Sequence, residues 1–280
     1  MSGKRLGSFR SGDRSEYLAL FALSRLAFVS PIPRQEDFGV PDFLCVLGKE
    51  EGGLVFAQNA FYVQVKSSAQ DLVFEGAAFT WIANHMDLPL IVCVVGKTRG
   101  KLRLYSTWNI WRALFEPEEN VSRPVLRFDT PLPLQAPTFS LDSVADVPVG
   151  QPIIDVTIDE VEQGGAPFFA VLERWIEIDK QNIASRAIGR IFVRGFWNWE
   201  PNKLPLEESR RTVYFFDSQG AWKRAEEAVA PILTAIAHNY RHNQMKAPLE
   251  ALRPMLCQLR PYLDKHGLGF AEGTLDVQED

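Results

Sequence analysis

Apolar residues in the first half of the chain are spaced in two ways, one typical of helices and one typical of strands. From Arg14 to Phe28 they recur at close helical spacing, which predicts a helix with a largely buried surface. Phe38 to Leu47 and Leu54 to Val65 are instead rich in Val, Phe and Leu, and a segment with three glycines separates them. This arrangement predicts two strands joined by a turn.

The following segments continue the alternation of helix and strand. Val73 to His85 predicts a second helix, and Leu88 to Val95 is an almost uninterrupted apolar run, as expected of a strand buried on both faces of a sheet. Lys101 to Tyr105 alternates charged and apolar residues after Gly100, which predicts the hairpin partner of that strand. The order of helix, two or three strands, helix, strand and strand predicts an α/β core.

Prolines mark a change in composition between residues 130 and 152. Pro131, Pro133, Pro137, Pro148 and Pro152 stand among Ser, Asp and Thr, a composition that interrupts regular structure. We therefore predict a first domain over 1–130, a proline-rich linker over 131–152 and a mainly helical domain over 153–280.

The predicted C-terminal domain contains three segments with helical apolar spacing, Ala166 to Ala187, Ala221 to Tyr240 and Ala247 to Leu263. A strand is predicted at Arg190 to Phe196, and an apolar patch follows at Thr212 to Phe216. No residue pattern in this region indicates a chemistry. Its predicted contribution is contact with a second copy of the chain or with a protein partner.

The composition is that of a folded protein of one or two domains, with 46% apolar and 23% charged residues. No apolar run approaches the roughly 20 residues that span a bilayer, and the N-terminus does not lead into the apolar segment of a signal peptide. A cytoplasmic protein without membrane contact is therefore expected. The formal net charge of -5 provides no general attraction to nucleic acid, so binding of a polyanion needs a local basic patch or a bound metal.

The three cysteines, Cys45, Cys93 and Cys257, are isolated from one another. Their spacing excludes a CxxC pair and argues against a disulfide framework. Cys45 and Cys93 fall on predicted strands and are expected in the core.

Four residues on the predicted first helix and the two strands that follow it have the chemistry of a metal-dependent hydrolase. Glu16 lies in the predicted first turn of the first helix, and Asp42 at the start of one strand. Gln64 and Lys66 are two residues apart on the next strand, so both side chains are predicted to point to the same face. An oxygen-ligand metal site with a lysine beside it is therefore predicted.

Hydrolysis of a phosphodiester needs a divalent cation that polarises the phosphoryl oxygen and lowers the pKa of an attacking water. Mg²⁺ is held by one or two carboxylates, with carbonyls, waters and phosphates completing the octahedron. The Asp42 carboxylate, the Gln64 side-chain oxygen and the Val65 main-chain carbonyl are suitable ligands for Mg²⁺ or Mn²⁺. A lysine such as Lys66 can stabilise the charge of the transition state or orient the attacking water.

This pattern resembles the PD-(D/E)XK nuclease superfamily, which has an acid in the first helix, then Pro-Asp, then (Asp/Glu)-x-Lys. The corresponding residues here are Glu16, Pro41-Asp42 and Gln64-Val65-Lys66. The resemblance is closer to a bacterial branch, known mostly as a domain of unknown function, with an Asp-x-Gly-x-Asp segment followed by Val-Gln-Val-Lys-Ser. This chain has Asp37-Phe38-Gly39-Val40-Pro41-Asp42 and Val63-Gln64-Val65-Lys66-Ser67.

The helix with Trp81 and the apolar strand after Pro89 are also similar to that branch, so the resemblance covers roughly residues 10 to 115. It implies a restriction-endonuclease-like core in which a mixed sheet is flanked by helices. It implies Asp42 and Gln64 as metal ligands, Lys66 as the catalytic lysine and Glu16 as an accessory acid. It further implies DNA as the substrate and a role in bacterial defence against foreign DNA.

Gln64 is the departure from the superfamily pattern, because an acid is common at that position. Glutamine supplies an oxygen without charge, which predicts weaker metal binding. Two alternative functions therefore stay open: a nuclease fold that binds without catalysis, and a phosphodiesterase that acts on RNA or on a nucleotide signal.

Each candidate residue also has a structural interpretation. Glu16 lies three residues after Asp13, which fits a helix capping box. Asp42 follows a proline and could begin a strand after a turn, and Lys66 could be an exposed charge at a strand end. Asp37 is interpreted as a turn residue.

Side chains outside this site have competing interpretations too. Two basic groups could contact phosphates or be solvated, namely Lys97, Arg99, Lys101 and Arg103 on the predicted hairpin and Lys4, Arg5, Arg10 and Arg14 near the N-terminus. Phe196-Trp197-Asn198-Trp199 could stack on a base, although such a cluster is more often core or interface. His238 and His242 have the spacing of a zinc pair but lack the glutamate of HExxH and a third ligand.

Overall fold

The computed structural model describes residues 7–33, 40–96, 100–115, 121–140, 142–163, 166–187, 192–205 and 209–212. Contacts along the chain divide it into two compact units, 1–186 with 191–214 and 187–190 with 215–280. The elements described below belong to the first unit, apart from the last residue of the fifth helix. The predicted helices at 221–240 and 247–263 lie outside the described residues.

The described residues form five helices and twelve strands. In chain order they are α1 (Gly7–Leu23), β1 (Ala27–Pro31), β2 (Phe43–Glu51), β3 (Leu54–Lys66), β4 (Leu72–Val73), α2 (Gly76–Asn84), β5 (Leu90–Gly96), β6 (Lys101–Ser106), α3 (Ile110–Phe115), β7 (Arg123–Phe128), β8 (Thr138–Phe139), β9 (Val144–Gly150), β10 (Ile154–Thr157), α4 (Ile158–Gln163), α5 (Ala166–Ala187), β11 (Phe192–Gly195) and β12 (Ser209–Thr212).

Six strands form one mixed sheet in the order β1-β2-β3-β5-β6-β10. β3 and β5 are parallel, and the other neighbours in this sheet are antiparallel. Parallel neighbours need a crossover connection, which here contains β4 and α2. The protein is therefore α/β with mixed sheets and helices, as predicted, and no described helix is long and apolar enough to span a membrane.

The predicted strand, turn and strand form the β2–β3 hairpin. Its turn lies at Gly52 and Gly53, which have φ of 60° and 80°, a backbone region that glycine adopts without steric cost. Gly48 lies within β2 instead, where the pairing with β3 shifts register; a Cβ there would be 2.8 Å from the Val55 side chain. The first six residues of β5 are buried, and β6 is its antiparallel partner, which confirms both predictions.

Helix α1 begins earlier and ends earlier than the sequence predicts. Arg14 to Phe28 was the predicted range, but the helix spans Gly7–Leu23, and Phe28 lies on β1 opposite Val46 of β2. After Leu23 the chain makes a tight turn in which Leu26 N–H donates to the Leu23 carbonyl. The residues that follow form β1 and pair with β2. Ser15, Ala19 and Leu23 are buried at four-residue spacing, and α1 contacts β3 and β5.

Residues 131–152, the predicted linker, lie inside the first compact unit. They contribute β8 and β9 to a second mixed sheet of order β4-β7-β9-β8. Prolines are compatible with this placement because a strand residue whose N–H is not required for the ladder can be proline. The Pro148 carbonyl accepts a hydrogen bond from Asn109 Nδ2 at 2.8 Å, which ties the segment to the start of α3.

The region after residue 152 is not set apart from the main sheet either. β10 pairs with β6 and supplies the sixth strand. The predicted helix Ala166 to Ala187 is confirmed by α5, and β11 lies within the predicted strand Arg190 to Phe196. The chain divides after residue 214, not at the prolines.

A tryptophan-rich cluster joins the turn before α3, helix α5 and the segment after β11. Trp175 packs edge-on against Phe196 and Trp199, with ring centroids 4.7 and 5.0 Å apart. Trp108 packs against Trp197, and Gly195 has no room for a side chain because a Cβ would overlap the Trp108 ring. The interpretation of Phe196 to Trp199 as core is therefore confirmed for the buried Phe196 and Trp199.

Candidate active site

Asp42 lies at one end of the main sheet, immediately before β2. Its N–H donates to the Val63 carbonyl at 2.8 Å, and Phe43 is the register partner of Val63. The acid therefore stands beside the strand segment that carries the other candidate residues.

The Asp42 carboxylate is held against that segment by a short hydrogen bond. Val65 N–H donates to Asp42 Oδ2 at 2.6 Å. A carboxylate that accepts a main-chain N–H has a fixed orientation and a charge-assisted bond. The same bond also satisfies a strand N–H, so it has a structural value independent of any chemistry.

Gln64 and Lys66 share one face of the sheet, as their spacing predicts. In the parallel ladder they are the register partners of Val92 and Val94 on β5. Gln64 is only 6% exposed and its Oε1 atom is buried, whereas Lys66 is half-buried at the end of β3. Lys66 is therefore not fully exposed, although the sequence allowed it to be interpreted as an exposed charge at a strand end.

Glu16 is not in the first turn of its helix. Because α1 begins at Gly7, Asp13 and Glu16 lie inside the helix, and the capping-box interpretation is wrong. Glu16 is half-buried next to the buried Ser15, on the helix that contacts β3 and β5. Glu16 therefore lies on a helix that contacts β3, the strand that carries Gln64 and Lys66.

The supporting features named in the sequence lie near these strands. Trp81 of α2 packs edge-on against Tyr62 of β3 with ring centroids 5.4 Å apart. Tyr62 donates to Asp87 at 3.4 Å, and burial together with Asp87 raises the pKa of its hydroxyl. Asp37, on the other hand, lies outside the described residues.

The donor set at this end of the sheet consists of oxygens and contains one carboxylate from the strand segment. No group of three or more His, Cys, Asp or Glu side chains suited to a metal occurs among the described residues. Asp42, the buried amide oxygen of Gln64 and the Val65 carbonyl nevertheless match in kind what Mg²⁺ takes, since one carboxylate with carbonyls and waters is sufficient. The residues present therefore fit a weakly held Mg²⁺.

The buried thiols play no part in this chemistry. Cys45 and Cys93 are both buried, as predicted, and burial raises the pKa of the Cys45 thiol to about 12 and that of Cys93 further still. A thiol that stays protonated is a poor nucleophile and a poor metal ligand.

The described basic residues of the predicted hairpin are ion-paired. Lys101 Nζ lies 2.9 Å from Asp155, and Arg103 donates to Asp129 at 3.0 Å. Both side chains remain partly exposed, at 46% for Lys101 and 28% for Arg103, so the ion pairs do not decide between phosphate contact and a solvated hairpin. Several other residues named from the sequence lie outside the described residues, namely Lys4, Arg5, Lys97, Arg99, His238, His242 and Cys257.

The sequence did not identify Tyr105, Asp129 or Asp179 as interacting polar groups. Tyr105 donates to Asp129 at 2.8 Å, and Asp179 accepts a hydrogen bond from the Trp111 indole. Asp129 adjoins the proline-rich segment and Asp179 lies in the middle of a helix, so neither has a recognisable motif around it.

Comparison of the chain with protein family models, with curated proteins and with solved structures gave no match.

Proposed function

We propose that this chain is a Mg²⁺-dependent endonuclease that hydrolyses DNA phosphodiester bonds, with Asp42, Gln64 and Lys66 at its active site. The observation that carries the proposal is the 2.6 Å hydrogen bond from Val65 N–H to the Asp42 carboxylate, because it brings the acid to the Gln-x-Lys segment. The mixed main sheet, with α1 followed by its three strands β1, β2 and β3 and then by α2 and β5, supports a restriction-endonuclease-like core. The role in bacterial defence against foreign DNA rests on the resemblance alone.

Asp42, Gln64 Oε1 and the Val65 carbonyl would hold the divalent cation, Mg²⁺ or Mn²⁺. When bound, the cation supplies polarisation of a phosphoryl oxygen and a lowered pKa for an attacking water. Val65 N–H orients the Asp42 carboxylate, and an ionised carboxylate with about four lone-pair sites keeps acceptor capacity beyond that bond. Gln64 adds an oxygen without charge, so cation binding should be weaker than at a site with two carboxylates.

Lys66 supplies the positive charge of the proposed site. Its ammonium group would donate to the phosphoryl oxygens, on which negative charge grows in the transition state, or would hold the attacking water. Glu16, on the helix that contacts β3 and β5, is the proposed accessory acid.

The rival function is a nuclease-like fold that binds without catalysis. It is favoured by the same hydrogen bond, since the Asp42 carboxylate satisfies a strand N–H whether or not a cation binds. The neutral Gln64 and the net charge of -5 favour it as well.

Purified wild-type protein is expected to nick supercoiled plasmid DNA in Mg²⁺ or Mn²⁺ and to lose this activity in EDTA. The Lys66→Ala variant should cleave about 100-fold to 1000-fold more slowly, which is the usual cost of removing one charge-stabilising donor. Gel electrophoresis of the nicked and linear products measures both effects.

The matched control is Lys203→Ala, which removes an exposed lysine paired with Glu200 and should cleave at the wild-type rate. Equal cleavage by wild type and Lys66→Ala, or no cleavage by wild type with either metal, would rule the proposal out. Parallel reactions on single-stranded and duplex RNA test the RNA alternative, and faster cleavage of RNA than of DNA would overturn the assignment of DNA as substrate.

Gln64→Glu should make the stability of the protein more dependent on Mg²⁺. Position 64 is 6% exposed, so without metal the new carboxylate is desolvated and the melting temperature should fall. With Mg²⁺ the added charge should strengthen binding roughly tenfold, because affinity follows ligand charge. Thermal unfolding across an Mg²⁺ titration should show a larger upward shift than in wild type.

Gln151→Glu is the control for that experiment. Gln151 is half-buried and donates to the Thr130 carbonyl, and the two residues lie just after β9 and β7, not on β3 with Gln64. Identical Mg²⁺ responses of wild type, Gln64→Glu and Gln151→Glu would exclude a metal site at position 64.

A further inference from the structure

Two polar residues of β6 lie on the same sheet face as Gln64 and Lys66. Gln64 is the register partner of Val92, which is in turn the partner of Tyr105. In the same way Lys66 is the register partner of Val94, and Val94 is the partner of Arg103. Register partners share a face, and two strand spacings of about 4.8 Å place Arg103 about 10 Å from Lys66.

Asp129 fixes the position of the Arg103 guanidinium. Its Oδ2 accepts a bond from Arg103 at 3.0 Å, and its Oδ1 accepts the Tyr105 hydroxyl at 2.8 Å. The guanidinium also lies 5.8 Å from the centroid of the Tyr105 ring. Asp129 itself follows β7 with φ of 52°, an uncommon backbone conformation for a non-glycine residue that persists where its surroundings hold it.

The arrangement leaves Arg103 able to bind a second group. A guanidinium has five N–H donors in a planar fork, and the bond to Asp129 uses one of its terminal nitrogens. The Arg103 side chain is 28% exposed, so part of it is accessible from solvent. An arginine held in this way loses little further freedom when it binds a phosphate, for which its fork is suited.

We propose that Arg103 is a positioning residue that binds a backbone phosphate of the DNA strand whose neighbouring phosphodiester is cleaved beside Lys66. Asp129 and Tyr105 hold the guanidinium towards that phosphate. This inference rests on the proposed nuclease function. A contact of this kind fixes the register of the DNA without reading its sequence.

Arg103→Ala should raise the KM for plasmid cleavage about tenfold and change kcat by no more than about twofold, since the lost contact is made equally in the bound substrate and in the transition state. In EDTA, fluorescence anisotropy with a labelled duplex should show about tenfold weaker binding. The slope of log K against log salt should shrink by about 0.9, the value of one lost phosphate contact. Arg103→Lys, which keeps the charge without the fork, should recover the slope but only part of the affinity.

Arg123→Ala is the matched control, because Arg123 is also ion-paired, with Glu75, but lies at the other end of β7 from Asp129. It should bind and cleave like wild type. If wild type cleaves DNA and Arg103→Ala has an unchanged KM and salt slope, the inference is wrong and the nuclease proposal stands. If wild type binds without cleaving while Arg103→Ala still flattens the salt slope, the nuclease proposal fails and the phosphate contact remains. An absence of both binding and cleavage overturns both.

Discussion

Asp42→Asn is expected to lower the rate of DNA cleavage by at least about 1000-fold while leaving the fold intact. The asparagine side-chain oxygen can still accept the Val65 N–H that Asp42 Oδ2 accepts at 2.6 Å, so the sheet end keeps its hydrogen bond. The substitution removes the only carboxylate among the proposed ligands Asp42, Gln64 and Val65, and with it the charge stabilisation of the proposed cation, which would contribute several kcal/mol. Plasmid nicking in Mg²⁺ measures the rate, and thermal unfolding without metal measures the fold.

Asp42→Ala separates the two roles of the carboxylate. It should be as inactive as Asp42→Asn but less stable by about 1–3 kcal/mol, because the Val65 N–H is left without its acceptor. Wild-type activity of Asp42→Asn would show that Asp42 only completes the strand pairing, and the metal site at Asp42 would be abandoned. A strongly destabilised Asp42→Asn would contradict the assumption that charge is not needed for the fold.

Predictions from sequence worked where one segment determines its own structure. The apolar run of β5 and the two glycines of the β2–β3 turn, which adopt a positive φ that other residues rarely adopt, are local signals, so both elements were correctly predicted. The end of α1 was predicted wrongly. Phe28 has the apolar spacing of a helix, but in the structure it lies on β1 and pairs with Val46 of β2. The prolines of 131–152 misled for the same reason, since pairing of β9 with β7 depends on a distant partner.

In the candidate site, too, the features set by local sequence were predicted and those set by distant partners were not. The shared face of Gln64 and Lys66 follows from the two-residue period of a strand, and the register with β5 confirms it. The approach of Asp42 to Val65 depends on the register between β2 and β3, which no local pattern specifies. Asp129 was missed because its partners Arg103 and Tyr105 are 26 and 24 residues away along the chain.

A second consequence of tertiary packing is a buried carboxyl in α5. Asp179 is 0% exposed and accepts a hydrogen bond from the Trp111 indole, which links α5 to α3. Asn182, one turn further on, exchanges hydrogen bonds with the main chain of Arg194 at 2.6 and 2.7 Å, which links α5 to β11. Burial raises the pKa of Asp179 to about 7, although the bonds from Trp111 and Asn182 lower it.

Asp179→Asn is expected to remove a pH dependence of stability between about pH 4 and pH 7. In the folded protein the raised pKa keeps Asp179 protonated in this range, whereas the unfolded chain, with the ordinary value of 3.8, has released the proton. The contribution of Asp179 to the free energy of unfolding is therefore fully present below about pH 4. It is lost as the pH rises through about 7, at up to about 1.4 kcal/mol per pH unit. Asparagine mimics the protonated carboxyl, so the variant should match wild type only below about pH 4, exceed it at pH 5 and exceed it by more at pH 8. Urea unfolding at both pH values measures the difference, with Glu177→Gln on the exposed face of α5 as the control. Equal pH dependence in wild type and Asp179→Asn would show that Asp179 does not change its protonation on unfolding.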